Sequence, residues 1–513
     1  MSSYFRRAVQ LFACFFVLLV VASCSPQQLH NPLGSPSQGP SGLSSSEAQY
    51  YAGMNAILEN YVAEIPAGTL ALVGVNGLAA IDPGFMVHRS HQTALITFTN
   101  GTNQQVDLPI TKDPVVWARF TDYVVTVARE NSPKIAAAHE EQIYEAVFDA
   151  YVSVLDEYSR YWNKVQAKAL WEQLLGFGGI GITLKFERRG MRVQTVLRNS
   201  PAQKAKIRPD DLIVAIDGIP FRTHDNPQNS VKQLRGPVGS VVWVSLERGN
   251  GRPLDVKVKR DEVVPETVQG QYLGNTLYLK LSGFNKTTAR SVLESLIGPT
   301  GARTRGANGI ILDVRGNPGG ILPSSIAIAD MFLNGKSISK TTGRVADSND
   351  DFFTKLPDVT NGLPLVILQD EESASAAEVL AAAIQDNRRG IIIGTTSYGK
   401  GSVQSSLPLP NGGRINLTIA EFSGPNGTPL NRYGVTPDIC TNRANFQLAT
   451  ALSNGQLSSA SKRSRELISA GAKPNQVRKI CPPAKSSQDK ELAMALTLMS
   501  DPALYRRALQ LLP

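Results

Sequence analysis

Gly309-Ile310-Ile311-Leu312-Asp313-Val314-Arg315-Gly316-Asn317-Pro318-Gly319-Gly320 is the stretch on which the fold turns. Its apolar run over 309–314 predicts a strand, and the Gly/Asn/Pro cluster behind it predicts a tight turn. A helix over 323–332 follows. Upstream come a strand over 276–281 and a helix over 286–297. Downstream come a strand over 364–369, a helix over 376–385 and the strand residues Ile391, Ile392 and Ile393. Strand alternating with helix from 263 to 440 argues a parallel α/β core. Inside it stand Ser375 in E-S-A-S-A-A-E-V and Lys400 in G-T-T-S-Y-G-K-G. A serine in a small-residue run, opening an apolar helix, is exposed beside backbone N–H groups. A lysine behind a strand and a glycine turn can serve as the base that activates it. With the pair Gly319-Gly320, this suggests amide hydrolysis without histidine.

At 513 residues the chain should hold three or more domains. Apolar content of 42% and charged content of 19% are those of an ordinary globular protein with ample core. The net charge is +9, but no Lys/Arg block stands out, so no nucleic-acid partner is expected. Arg6 and Arg7 precede an apolar run over 11–22 that is too short to favour a spanning helix and is laid out as an export signal. It ends in Val21-Ala22-Ser23-Cys24, which resembles the lipobox of bacterial lipoproteins. Cleavage before Cys24 would leave a lipidated cysteine; ordinary secretion with cleavage nearby is the alternative. Ser25, rather than aspartate, leans the anchored protein toward the outer membrane, facing the periplasm. Cys14 leaves with the signal. Cys440 and Cys481 then remain, either as a bridge contributing about 4 kcal/mol or as two buried thiols.

Residues 25–46, rich in Ser, Pro, Gly and Gln, read as a flexible tether. Between 47 and 165, helical stretches over 47–63 and 134–162 flank a β-like segment with turn signals at Asn76-Gly77 and Asn100-Gly101. Residues 441–513 read as helical, ending in an amphipathic stretch over 489–512.

Residues 172–262 form a compact strand-rich unit. Gly178-Gly179-Ile180-Gly181-Ile182 precedes a strand over 183–186. Ser200-Pro201-Ala202-Gln203-Lys204-Ala205, Ile207-Arg208-Pro209-Asp210-Asp211-Leu212-Ile213 and Ile216-Asp217-Gly218 follow. This run resembles a PDZ domain, whose glycine loop offers backbone N–H groups to a peptide's terminal carboxylate while the peptide adds as a strand. Lys206 stands where PDZ domains usually place glycine; in a left-handed conformation it would cost about 1–2 kcal/mol. Arg235, where a helix should give way to a turn, is either a solvated arginine or a contact made in only one position of the PDZ domain.

Gly394-x-x-x-x-Gly399-Lys400 looks like a phosphate-binding loop, but Gly401 stands where that loop needs Ser or Thr for Mg²⁺. The histidines are His30, His88, His91, His139 and His224, none of them in 263–440, so the core holds no Ser-His-Asp triad. No H-E-x-x-H occurs. Ser375-x-x-Glu378 is also a capping box, a purely structural device, and Ser373 could equally be the exposed hydroxyl.

Taken together, L-D-V-R-G-N-P-G-G, S-A-S-A-A-E, S-Y-G-K-G-S-V-Q and G-V-T-P-D-I, behind a PDZ-like unit, resemble the C-terminal processing peptidases, the Ser/Lys peptidases of family S41. Leu155-Asp156-Glu157-Tyr158-Ser159-Arg160-Tyr161 resembles their tyrosine segment ahead of the PDZ domain. The likeness runs from about 150 to 440. It implies a multidomain α/β fold: signal peptide (1–23), tether (24–46), helical N-terminal region (47–171), PDZ domain (172–262), ClpP/crotonase-like α/β peptidase core (263–440) and helical C-terminal extension (441–513). It implies Ser375 as nucleophile, Lys400 as base, Gln404 as the residue that orients the lysine, and the N–H groups of Gly320 and Ala376 as the oxyanion hole. Gly179, Ile180, Gly181 and Ile182 would take the substrate's C-terminus. Ala377 stands where the family carries a third serine, which leaves the nucleophile untouched.

No metal or cofactor is implied. The partners implied are exported proteins with exposed C-termini, the membrane through the lipid anchor, and a second copy of the chain or an adaptor. A catalytically silent PDZ scaffold or adaptor is the rival reading, disfavoured by the intact Ser375, Lys400 and Gln404. A crotonase-like acyl enzyme is another, disfavoured by the PDZ unit.

Overall fold

The computed structural model describes residues 40–221, 227–249, 251–442, 459–483 and 488–512. The export signal, Cys24 and most of the tether lie outside them. Among the described residues no helix is long and apolar enough to cross a membrane. The chain divides into two compact units. One takes the described residues up to Lys164 with Gln404–Thr418; the other takes Val165–Val403 with the described residues from Ile419 onward.

The first unit is built on helices α1 (Ser45–Asn60), α2 (Ala67–Asn76), α3 (Pro114–Asn131), α4 (Pro133–Ala137) and α5 (Glu140–Ser153). α1 opens on a capping box between Ser44 and Glu47. In its core Tyr50 packs edge-on to Tyr144 and tilted to Phe148, which stacks on Tyr144 and meets Tyr151 edge-on. The β-like segment is real only over β1 (Met86–Ser90), β2 (Thr93–Thr97) and β3 (Asn103–Asp107), an antiparallel meander that turns at Gly101, φ +81°. α2 and α3 occupy the rest of it. Five valines lend α3 a strand-like composition, yet Trp117, Thr121, Val124 and Ala128 bury one helical face. Asn76-Gly77 is a helix end passing into a 3₁₀ turn, not a hairpin.

The helix expected over 134–162 is likewise broken. α5 stops at Ser153, and Arg160–Trp162 forms β4, antiparallel to residues 414–416 of β21 (Arg414–Ser423). Asp156 turns the chain there: its Oδ1 accepts the Tyr158 and Ser159 amides at 2.7 and 2.9 Å.

In the second unit α6 (Lys164–Leu175) leads into β5 (Phe177–Gly179), which pairs with β12 (Asp261–Val263). Between them lie β6 (Ile182–Glu187), β7 (Gly190–Val196), α7 (Pro201–Lys204), β8 (Leu212–Ile216), β9 (Ile219–Pro220), α8 (Pro227–Leu234), β10 (Val241–Glu247) and β11 (Leu254–Lys259). The sheet runs β11-β10-β8-β7-β6, antiparallel throughout, so β6 is an edge. Lys206 does sit left-handed, at φ +60°. Arg248 braces that turn, donating to the Lys206 carbonyl at 3.0 Å and forking onto Asp211 at 2.7 Å.

The expected parallel core follows. Its strands are β13 (Val268–Leu273), β14 (Thr276–Leu281), β15 (Gly309–Asp313), β18 (Leu365–Gln369), β19 (Ile391–Gly394) and β22 (Ile439–Cys440), in the order β13-β14-β15-β18-β19-β22. The sheet is parallel from β14 onward, with β13 an antiparallel edge. β15, β18 and β19 are buried along their whole lengths because both faces are covered. Ile310, Leu312, Leu365, Ile367 and Ile392 face α9 (Thr288–Ile297), α11 (Leu322–Asp330) and α12 (Ala376–Asp386), which flank the short α10 (Ala302–Arg305) in the chain. Their alternates Ile311, Val366, Leu368, Ile391 and Ile393 face α15 (Gln488–Ser500) and α16 (Pro502–Gln510). The amphipathic stretch over 489–512 is thus two helices, parted where Asp501 caps the second.

A feature that patterning missed is an antiparallel sheet of β16 (Ser337–Gly343), β17 (Asp350–Phe353) and the end of β21, with β20 (Ser402–Pro408) beside β21. Cys440, on β22, is bridged to Cys481, Cα to Cα 5.8 Å, behind α13 (Ser459–Ser469) and α14 (Pro474–Val477).

Candidate active site

α12 is buried on all sides, and its alanines let it sit close against both the sheet and a second apolar layer of Phe422, Leu430 and Val435. Ser375 stands at its head with φ +55° and ψ −117°. An L-residue adopts that backbone only where its surroundings enforce it, at about 1–3 kcal/mol. The capping-box spacing is real too: Glu378 turns its carboxylate back onto the Ser375 N–H at 2.8 Å. Ser373, the alternative hydroxyl, is buried; it donates to the Val314 carbonyl at 2.8 Å and lies 3.0 Å from Asp370. That leaves Ser375, half-buried, as the one at the surface of the site.

The glycine turn behind β15 packs directly on Ser375. A Cβ on Gly319, at φ +100°, would lie 2.8 Å from the Ser375 Cβ, so only glycine lets the two chains approach. Asn317, fully buried, builds this turn. Its Nδ2 donates to the Leu281 carbonyl, its Oδ1 accepts the Gly319 N–H and its carbonyl accepts the Ala374 N–H, each at 2.9 Å. Phe284 forms a parallel bridge with Gly320 that uses the Gly319 carbonyl and the Ile321 amide, leaving the Gly320 N–H outside it. Ala376 is the first helical residue, one of the N–H groups a helix cannot satisfy internally.

Lys400, half-buried, lies between β19 and β20. Its backbone N–H donates at 2.8 Å to the same Glu378 Oε2 that holds Ser375. Gln404 is on β20, in the first unit, where its amide is 3.5 Å from the Thr418 Oγ1; that hydroxyl is in turn 3.1 Å from Asp156.

Two family models match this chain: "Peptidase family S41" over residues 275–441 and "PDZ domain" over 178–262. A carboxy-terminal-processing protease of Bartonella bacilliformis is 35% identical over 326 residues, 63% of this chain and 74% of that protein. The chain belongs to peptidase family S41. This S41 peptidase is a serine-type, carboxy-terminal-processing protease with a PDZ domain. It is also similar to carboxy-terminal processing protease CtpB of Bacillus subtilis, 29% identical over 402 residues, 76% of this chain and 79% of that one. Among solved structures it resembles a photosystem II D1 C-terminal processing protease, with TM-score 0.41 and 21% identity over 77% of this chain and 93% of that chain.

In the PDZ domain of this S41 peptidase, Gly179, Ile180, Gly181 and Ile182 lead from β5 into the edge strand β6, with Gly181 at φ +78°. Arg235 is exposed to solvent, yet it is not without contacts. Its guanidinium lies 4.1 Å above the Phe177 ring and pairs with Glu172. The next residue, Gly236, donates to the Gly178 carbonyl at 3.0 Å.

Three contributors escaped the sequence reading. Asn317 was only part of a turn. Glu378 was only a cap. Glu491, on α15, takes Arg315 Nη1 at 2.9 Å while Asp313 takes the same guanidinium in a fork, all three buried. Asn317 and Glu378 carried local signals, an Asn-Pro-Gly-Gly turn and a capping box, but the Glu378 bonds to the lysine's loop and the Glu491–Arg315 pair act across gaps no periodicity spans.

Proposed function

We propose that Ser375 is the nucleophile and Lys400 the general base of a peptidase that cuts proteins engaged by their C-termini. The observation that carries this reading is the serine's backbone, held at φ +55° at the head of a buried helix and tied to the lysine's amide through one carboxylate oxygen. Neutral Lys400 takes the hydroxyl proton as Ser375 Oγ attacks the scissile carbonyl. The carbonyl oxygen becomes an oxyanion between the Gly320 and Ala376 N–H groups, each worth about 3 kcal/mol in comparable sites. The lysine then gives its proton to the leaving amine, and an acyl-enzyme remains. Water, deprotonated by the same lysine, attacks that ester and frees Ser375. The lysine must be neutral to take that proton, so activity should rise with pH as the amine deprotonates. Gln404 is assigned to orient the amine without adding charge, on the strength of the family resemblance.

The PDZ loop, Gly179, Ile180, Gly181 and Ile182, is assigned to the substrate's terminal carboxylate, and the open edge of β6 to the peptide strand beside it. The export signal and Cys24 support a lipid-anchored protein at the outer membrane, facing the periplasm and acting on exported substrates.

The test compares exported proteomes of the wild type and Ser375→Ala, with both proteins also assayed after purification. Uncleaved exported proteins should accumulate in the variant, and purified Ser375→Ala and Lys400→Ala should be inactive yet folded. A wild type without peptidase activity would leave a PDZ scaffold; an active Ser375→Ala would end the nucleophile assignment.

A further inference from the structure

Glu378 sits in the first turn of α12, 1% exposed. Its Oε2 accepts the backbone N–H groups of Ser375 and Lys400, each at 2.8 Å. Its Oε1 accepts the Gly399 N–H and the Ser397 hydroxyl, each at 2.6 Å. Three of the four contacts are backbone N–H groups that can only donate, and the Ser397 hydroxyl donates as well; the arrangement favours a carboxylate. Burial pushes this group up and the four hydrogen bonds oppose it. Capping the helix needs only the bond to Ser375. The other three reach 19, 21 and 22 residues along the chain into the lysine's loop and serve no cap.

We infer that Glu378 is a positioning residue for the peptidase reaction, its carboxylate fixing the Ser375 backbone against the Lys400 backbone and so setting the nucleophile on its base. The inference rests on the Ser375/Lys400 reading above. Ser375 holds a conformation that relaxes unless gripped, and Glu378 grips its amide. Lys400 lies in a loop with glycine at 394, 399 and 401, whose backbone has little stiffness of its own. One oxygen shared by both amides makes the two segments move together. The carboxylate charge also lies one hydrogen bond from the lysine's main chain, and removing it would favour loss of the amine's proton.

The test measures kcat, KM and their pH profiles for the purified full chain on a short fluorogenic peptide ester, alongside thermal midpoints. Glu378→Gln keeps the volume but must turn an NH₂ toward backbone N–H groups. Its kcat should fall roughly 100-fold with KM within about threefold of wild type, the signature of misplaced reacting groups. The acidic limb of its kcat/KM profile should move to lower pH, a shift that a merely structural role would not produce. Glu378→Asp keeps the charge and loses the reach: kcat stays low while the limb returns to its wild-type position.

A Glu378→Gln with kcat within about threefold of wild type overturns the inference, as does a loss that comes with a collapsed thermal midpoint and an unmoved limb. Should Glu378→Gln not fold, Ser397→Ala decides. Up to about a tenfold loss of kcat at unchanged KM and midpoint supports the inference, and wild-type kcat overturns it. Ser375→Ala and Lys400→Ala run in parallel. Activity in those refutes the dyad itself; their inactivity beside a fully active Glu378→Gln refutes only the positioning role.

Discussion

Replacing Gly319 by alanine should disable the peptidase without unfolding it, and the geometry sets the size of the effect. The new Cβ would stand 2.8 Å from the Ser375 Cβ, 2.9 Å from the Ala374 carbonyl oxygen and 3.2 Å from the Ala376 nitrogen. Ordinary carbon contacts lie at about 3.5–4.0 Å, so something must give by about 1 Å. Gly319 cannot be what gives, because Asn317 holds its amide and Phe284 its carbonyl, each at 2.9 Å. The displacement therefore falls on Ser375 and the head of α12. A shift of about 1 Å at a reacting atom costs on the order of 100-fold in rate. The left-handed backbone, φ +100°, adds about 1–2 kcal/mol of lost stability.

Gly306→Ala is the control. It carries the same left-handed penalty at φ +66° with nothing within 4 Å of its Cβ position. Steady-state kinetics on a short peptide ester, with calorimetry, should show both variants losing a few degrees of midpoint and only Gly319→Ala losing kcat. Gly319→Ala with kcat within about threefold of wild type would refute the claim that this turn sets the position of Ser375.

Lys400→Arg should be inactive at every pH tested, because arginine cannot deprotonate; an activity that returns at alkaline pH would contradict a lysine base. Arg235→Ala should change cleavage of a long substrate bearing a free apolar C-terminus far more than cleavage of a short ester, since its contacts to Phe177 and Glu172 lie at the root of the PDZ loop; equal effects would reduce it to a local brace. Asp438 is fully buried, and burial pushes its carboxyl up to about 6 despite bonds from the Ile392 amide, Gln385 and Ser461. The folded state then binds this proton more tightly than the unfolded chain, whose aspartate titrates near 3.9, so this group's contribution to stability is present below about pH 4 and is lost as pH rises to about 6. Asp438→Asn should flatten that part of the urea-midpoint profile, and superimposable profiles would refute the assignment.

What could be read from the chain was what periodicity and turn chemistry encode locally. The strand at Gly309–Asp313, the helix at Ala376–Asp386 and the glycine turn between strand and helix all lie within short windows, and each came out within a residue or two. α3 failed because its valines carry strand propensity while their spacing buries a helical face, and tertiary packing overrides propensity. The pairing of β16 with β21 failed because it joins segments about 80 residues apart, such as Lys340 with Ser423.

The candidate site divides the same way. The residue types at 375 and 400 are visible as motifs, but the link between them runs through a glutamate whose local pattern already had a sufficient structural explanation. The C-terminal helices show how far this reaches. Read from sequence they are an extension beyond the core, yet Met494, Leu498, Met499 and Tyr505 cover the face of the parallel sheet that Ile311, Val366 and Ile393 present. Glu491 crosses 176 residues to hold Arg315, the residue that begins the Gly316–Gly320 turn. Strands apolar at every position announce that both faces must be covered. They cannot say which part of the chain covers the second one, and here it is the part that also braces the turn beneath Ser375.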